Sequence, residues 1–99
     1  MKVKKTVNGN RMELMLTGKF DAVSAPKFET EIAGELEGIT ALAVDMSEVE
    51  YISSAGLRAL LYLQQTMDEV DGTMTVSRVP EIVMQIFEVT GFNEIIAVE

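Results

Sequence analysis

The segment Val49-Glu50-Tyr51-Ile52-Ser53-Ser54-Ala55-Gly56-Leu57-Arg58-Ala59-Leu60-Leu61 reads as the end of a buried strand, a short acidic connection and the start of a hydroxyl-led helix. Leu57, Leu60, Leu61 and Leu63 give that helix an apolar density suited to the centre of a small domain. The serine pair stands where the first backbone N–H groups of a helix point outward without partners. A serine in that place ordinarily acts as a cap.

Working outward, Thr40 to Met46 is a nearly continuous apolar run. Such runs belong to strands covered on both faces, typically parallel ones. The helix after the serines is expected to run to about Val70. Gly56, Leu60, Leu63, Met67 and Val70 form its deep stripe, widened by Leu57 and Leu61, with Arg58, Tyr62, Gln65 and Glu69 opposite. Asp71-Gly72 ends it, and Thr73 to Ser77 is a further strand. Pro80 opens a third helix in its first turn. There Ile82, Ile86 and Val89 share one side, Val83 and Phe87 lie beside them, and Gly91 is the stop. Ile95 to Val98 is a final strand.

Toward the N-terminus, Val3, Lys5 and Val7 alternate with Lys4 and Thr6, a lysine-guarded edge strand. Asn8-Gly9-Asn10 marks a hairpin turn into a strand with Met12, Leu14 and Leu16 on one face, closed by Gly18. Phe20 to Ser24 is a connection, and Ser24 is the expected cap of a first helix whose core positions are Phe28, Ile32 and Leu36. Gly38 is its expected stop. The order β-β-α-β-α-β-α-β predicts an α/β fold with a mostly parallel mixed sheet.

The chain's 99 residues are read as one domain over residues 1–99, with 47% apolar residues and no run near the roughly 20 of a membrane span. A basic start without an apolar stretch, and no cysteine, point to a cytoplasmic setting. The net charge of −8 disfavours nucleic acid and direct membrane binding and suits a protein partner with a basic face. The lack of histidine removes the usual general base and the commonest metal ligand, so neither cofactor, metal nor catalytic residue is expected.

Ser54-Ala55-Gly56 resembles half of a hydrolase nucleophile elbow, but Ile52 stands where its first glycine belongs. No glycine-rich phosphate loop occurs. Asp45, near the end of its strand, invites comparison with receiver-type phosphoacceptors, yet the acid cluster and late lysine of that chemistry are missing. A serine that receives phosphate from another protein is the remaining use. New charge among Asp21, Asp45, Glu48 and Glu50 would repel a partner. From the residues alone, cap and phosphoacceptor both stay open.

The run D-M-S-E-V-E-Y-I-S-S-A-G-L-R-A-L-L from Asp45 to Leu61 closely resembles the signature of the STAS domain of bacterial anti-sigma factor antagonists. L-T-G-K-F-D-A from Leu16 to Ala22 and F-E-V-T-G-F from Phe87 to Phe92 resemble the same family in order and spacing. The resemblance implies a STAS fold and a binding protein rather than an enzyme. Its partner would be an anti-sigma factor that is also a serine kinase, with a phosphatase reversing the modification. The phosphorylated residue corresponds to Ser54. Ser53, which stands where the family often has aspartate, is the second choice. Asp21 matches an acidic residue near that site. Arg58, Tyr62 and Gln65, running outward from the Ser54 end of the helix, complete the expected partner-binding set with Asp21, Ser53 and Ser54. The alternative within the family is a docking subunit of another assembly, a lipid-transport complex or a signalling scaffold.

Overall fold

In the computed structural model, which describes residues 1–99, the chain begins with an antiparallel hairpin of β1 (Lys2–Asn8) and β2 (Arg11–Phe20). Its two-residue turn places Gly9 first, at φ +63°, where a type II′ turn calls for glycine. Then follow α1 (Ser24–Ala33), β3 (Ala41–Ile52), α2 (Ser54–Glu69), β4 (Thr73–Ser77), α3 (Glu81–Thr90), a 3₁₀ turn (Phe92–Glu94) and β5 (Ala97–Val98). The five strands lie side by side in sequence order, β1-β2-β3-β4-β5, with β2 to β5 parallel. β1 is an edge strand, as its lysines predict, and Lys5 reaches over to pair with Glu35 beyond the end of α1.

A chain that steps the same way along a sheet at each crossover, with one hand throughout, lays all its helices on one face. The burial follows. Met12, Leu14 and Leu16 of β2, Leu42, Val44 and Met46 of β3, and Met74 and Val76 of β4 are buried in a single core with Phe28 and Ile32 of α1, Leu60 and Leu63 of α2, and Val83 and Phe87 of α3. The alternate residues Glu13, Met15, Ala41, Ala43, Asp45, Thr73, Thr75 and Ser77 form the other face, which no helix covers.

The expectation that the Thr40–Met46 run is covered on both sides is therefore corrected. Ala41 and Ala43 are apolar by type but half-exposed, and a methyl group loses little by meeting water. The strand also runs on through the supposed acidic connection to Ile52, with Glu48 and Glu50 at its exposed positions. β2 extends in step past Gly18, which does not close it. Gly18 sits at φ +106° between two shifts of register and bends the strand so that Phe20 pairs with Ile52.

Three other boundaries move. α1 stops at Ala33 with Gly34 as its cap, short of Gly38. Val70 lies outside α2 and is half-exposed, its place in the buried stripe taken by Ala59. The last strand shrinks to two residues, because the N–H groups of Ile95 and Ile96 both donate to the Phe92 carbonyl. Gly91, at φ +76°, ends α3 as expected.

Candidate functional site at the start of the second helix

Phe20 and Ile52 are paired neighbours in parallel strands, so Asp21 and Ser53 leave the sheet side by side. The Ser53 N–H donates to the Phe20 carbonyl at 2.9 Å, which ties the two exits together. Gly56 permits the close fit above them. A Cβ there would stand 2.6 Å from the Phe20 oxygen and 2.7 Å from Ile52 Cγ1. Phe20 itself meets Phe28 edge-on at 5.1 Å, locking α1 to the same corner.

The two serines have different jobs. Ser53 holds extended backbone angles, and its Oγ accepts the Gly56 N–H at 3.4 Å while its carbonyl accepts the Leu57 N–H at 3.0 Å. It is the N-cap. Ser54 is the first helical residue, exposed, and its hydroxyl takes no part in that cap. Arg58, Tyr62 and Gln65 follow at steps of four, four and three, all exposed, and so extend one stripe along the helix from Ser54 for roughly 16 Å. The ion pairs of the chain are Lys5–Glu35, Arg11–Glu13 and Arg78–Asp45, which leaves Arg58 free.

Asp21 does the capping that the sequence suggests for Ser24. Its Oδ1 accepts the N–H groups of Val23 at 3.0 Å and Ser24 at 3.1 Å, and its carbonyl accepts the Ala25 N–H at 2.9 Å. Ser24 lies inside α1 and anchors the turn, its Oγ donating to the Lys19 carbonyl at 2.8 Å and accepting the Asp21 N–H at 2.9 Å. The backbone N–H bonds from Ser24 and then Val23 hold the Asp21 carboxyl below its ordinary 3.8. The charged form is the one that fits the fold, so the stabilisation is present above pH 3.8 and is lost as pH falls through the lowered value. Asp21→Asn, which keeps one acceptor and drops the charge, is expected to flatten this acid limb of the stability curve. Urea midpoints measured from pH 5 down to pH 2 check it. Parallel curves for the two proteins would mean that Asp21 contributes nothing through its charge.

Asp45 is elsewhere. It lies seven residues before the end of β3 on the uncovered face, where Oδ1 accepts the Ser47 N–H at 2.9 Å and Oδ2 stands 3.9 Å from Arg78. It is not at a strand end, and no three acidic residues converge anywhere to hold a metal ion. Sequence reasoning missed two parts of the corner: the anchoring role of Ser24 and the exposed aromatic ring of Tyr51, which pairs across to Lys19 two residues before the cap. An aromatic beside the serine pair was the available signal for the second.

The STAS domain family model matches residues 2–99. The chain belongs to the STAS domain family. BtrV of Bordetella bronchiseptica, provisionally named an anti-sigma factor antagonist, is 31% identical over 84 residues, covering 84% of this chain and 72% of BtrV. The anti-sigma-B factor antagonist of Listeria monocytogenes is 26% identical over 92 residues, covering 91% of this chain and 80% of its own. Among solved structures, the anti-sigma factor antagonist SpoIIAA in its unphosphorylated form superposes with a TM-score of 0.86 at 14% identity, over 99% of this chain and 88% of SpoIIAA. The phosphorylated form of SpoIIAA gives 0.77 at 13% identity, over 99% and 91%. These superpositions establish that the STAS fold seen here is the one those proteins share. No helix of this STAS domain is long and apolar enough to cross a membrane.

Proposed function

We propose that this STAS domain is a cytoplasmic anti-sigma factor antagonist. It contacts a kinase-type anti-sigma factor through Asp21, Ser53, Ser54, Arg58, Tyr62 and Gln65, and phosphate on Ser54 breaks the contact until a phosphatase removes it. One observation carries the choice of serine: Ser53 spends its oxygen on the Gly56 N–H, while Ser54 presents a free hydroxyl at the first helical position. The names of the relatives support the class of partner, and SpoIIAA has been solved with and without phosphate.

Phosphate at Ser54 suits the fold. Negative charge at a helix start is favoured by about 0.3–1 kcal/mol, so modification leaves the domain folded and acts on the partner. Incubation of the wild type, Ser54→Ala and Ser53→Ala with the host's anti-sigma kinase, read by intact mass, tests the assignment. A single phosphate on the wild type and on Ser53→Ala, and none on Ser54→Ala, is expected. Phosphate on Ser54→Ala would move the site.

A further inference from the structure

α3 carries two apolar stripes, of which only one is fully buried. Val83 and Phe87 are fully buried, and Phe87 packs on Phe92 with ring centres 5.2 Å apart. Ile82, Ile86 and Val89, spaced i, i+4 and i+7, lie on the outer side, where with Gln85 and Thr90 they line a shallow groove of about 320 Å³. Ile82 is 54% exposed and Val89 87%. Ile86, between them, is half-buried against the core, so the groove has an anchored floor and two exposed aliphatic rims, a patch of the kind that marks an interaction surface.

The charges around this patch select its occupant. α3 itself holds Glu81 and Glu88, both exposed, and neither lysine nor arginine. Two copies meeting stripe to stripe would set Glu81 and Glu88 of each against those of the other, with no cation to relieve them. An anionic lipid surface would meet the same repulsion. A partner helix whose own apolar stripe is flanked by lysine or arginine satisfies the groove and the glutamates together. We infer that the outer face of α3 is a docking surface for a basic amphipathic helix of a protein partner. It shares no residue with the Ser54 stripe on α2 and therefore works whether or not Ser54 carries phosphate.

The test uses the full chain and a fluorescein-labelled helical peptide with leucines at i, i+4 and i+7 flanked by lysines. A peptide of the same pattern flanked by glutamates and a scrambled lysine peptide are the controls. Saturable binding of the lysine peptide alone is expected, weakened by added salt. It should fall about tenfold or more in Ile82→Gln/Val89→Gln, and also weaken in Glu81→Gln/Glu88→Gln. These exposed substitutions should leave the thermal midpoint near the wild type, and Ser54→Asp should bind the peptide unchanged. No saturable binding, equal binding of the glutamate or scrambled peptide, or binding untouched by the Ile82/Val89 change would overturn the inference. Concentration-dependent dimerisation lost in Ile82→Gln/Val89→Gln would assign the face to a second copy instead. Cosedimentation with phosphatidylserine vesicles lost in the same variant would assign it to a membrane.

Discussion

Gly56→Ala is expected to lower the stability of the domain by about 2 kcal/mol, and Gly56→Val by more. Alanine ordinarily gains about 1 kcal/mol over glycine inside a helix, so the direction of this effect is diagnostic. The added Cβ would meet the Phe20 carbonyl oxygen at 2.6 Å and Ile52 Cγ1 at 2.7 Å. Neither can withdraw cheaply. The carbonyl already accepts the Ser53 N–H at 2.9 Å, and Ile52 is buried in the core. For a chain of this size the loss corresponds to a fall in thermal midpoint on the order of 10 °C. Gly34→Ala is the control, because a Cβ there meets nothing within 4 Å and the backbone angle is ordinary. If thermal melts show Gly56→Ala as stable as Gly34→Ala, the helix does not sit as tightly on the strand ends as described.

Ser54→Asp is expected to weaken binding to the anti-sigma factor by about 100-fold, equivalent to about 2.7 kcal/mol, with an unchanged thermal midpoint. The carboxylate sits well at the helix start but adds charge at the exposed position next to Ser53, which leaves the sheet beside Asp21, and the proposed contact would have to desolvate it. Ser53→Asp supplies the contrast. Aspartate caps a helix as well as serine does, so its charge is drawn onto the Gly56 N–H, and it should weaken binding clearly less than Ser54→Asp does. Isothermal titration of the three proteins against the same anti-sigma factor reads both effects. Equal affinity of Ser54→Asp and wild type would sink the switch and favour a constitutive docking module.

How far the sequence carries depends on whether one physical preference dominates at a position. The β2 alternation of Met12, Leu14 and Leu16 with polar neighbours leaves one solution, and the structure has it. Alanine is ambiguous, which is why Ala41 and Ala43 made β3 look buried on both faces. In α3 two stripes compete one residue apart. The large ring of Phe87 wins the core place, Ile86 is left half-buried at its margin, and Ile82 and Val89 turn outward, a choice that periodicity alone cannot make. At the site, Asp21 and Ser24 are both good caps three residues apart. Only the reach of the Ser24 hydroxyl back to the Lys19 carbonyl shows which one anchors and which one caps. The adjacent serines present the same difficulty, since their division into cap and free hydroxyl follows from the angle at which β3 enters α2.

The uncovered face of the sheet has a consequence for how such a chain can change over time. Along Ala41 to Met46, every second residue belongs to the core and every other one to a surface outside it. Substitutions at Ala43, Thr75 or Ser77 can accumulate with little effect on folding, while those at Leu42, Val44 or Val76 are felt at once. Two histories can thus be written on one strand, one conservative and one free to try new neighbours. The separation lasts only as long as the count is kept. Deleting one residue from this run would exchange the two sets and place Asp45 where Val44 now packs.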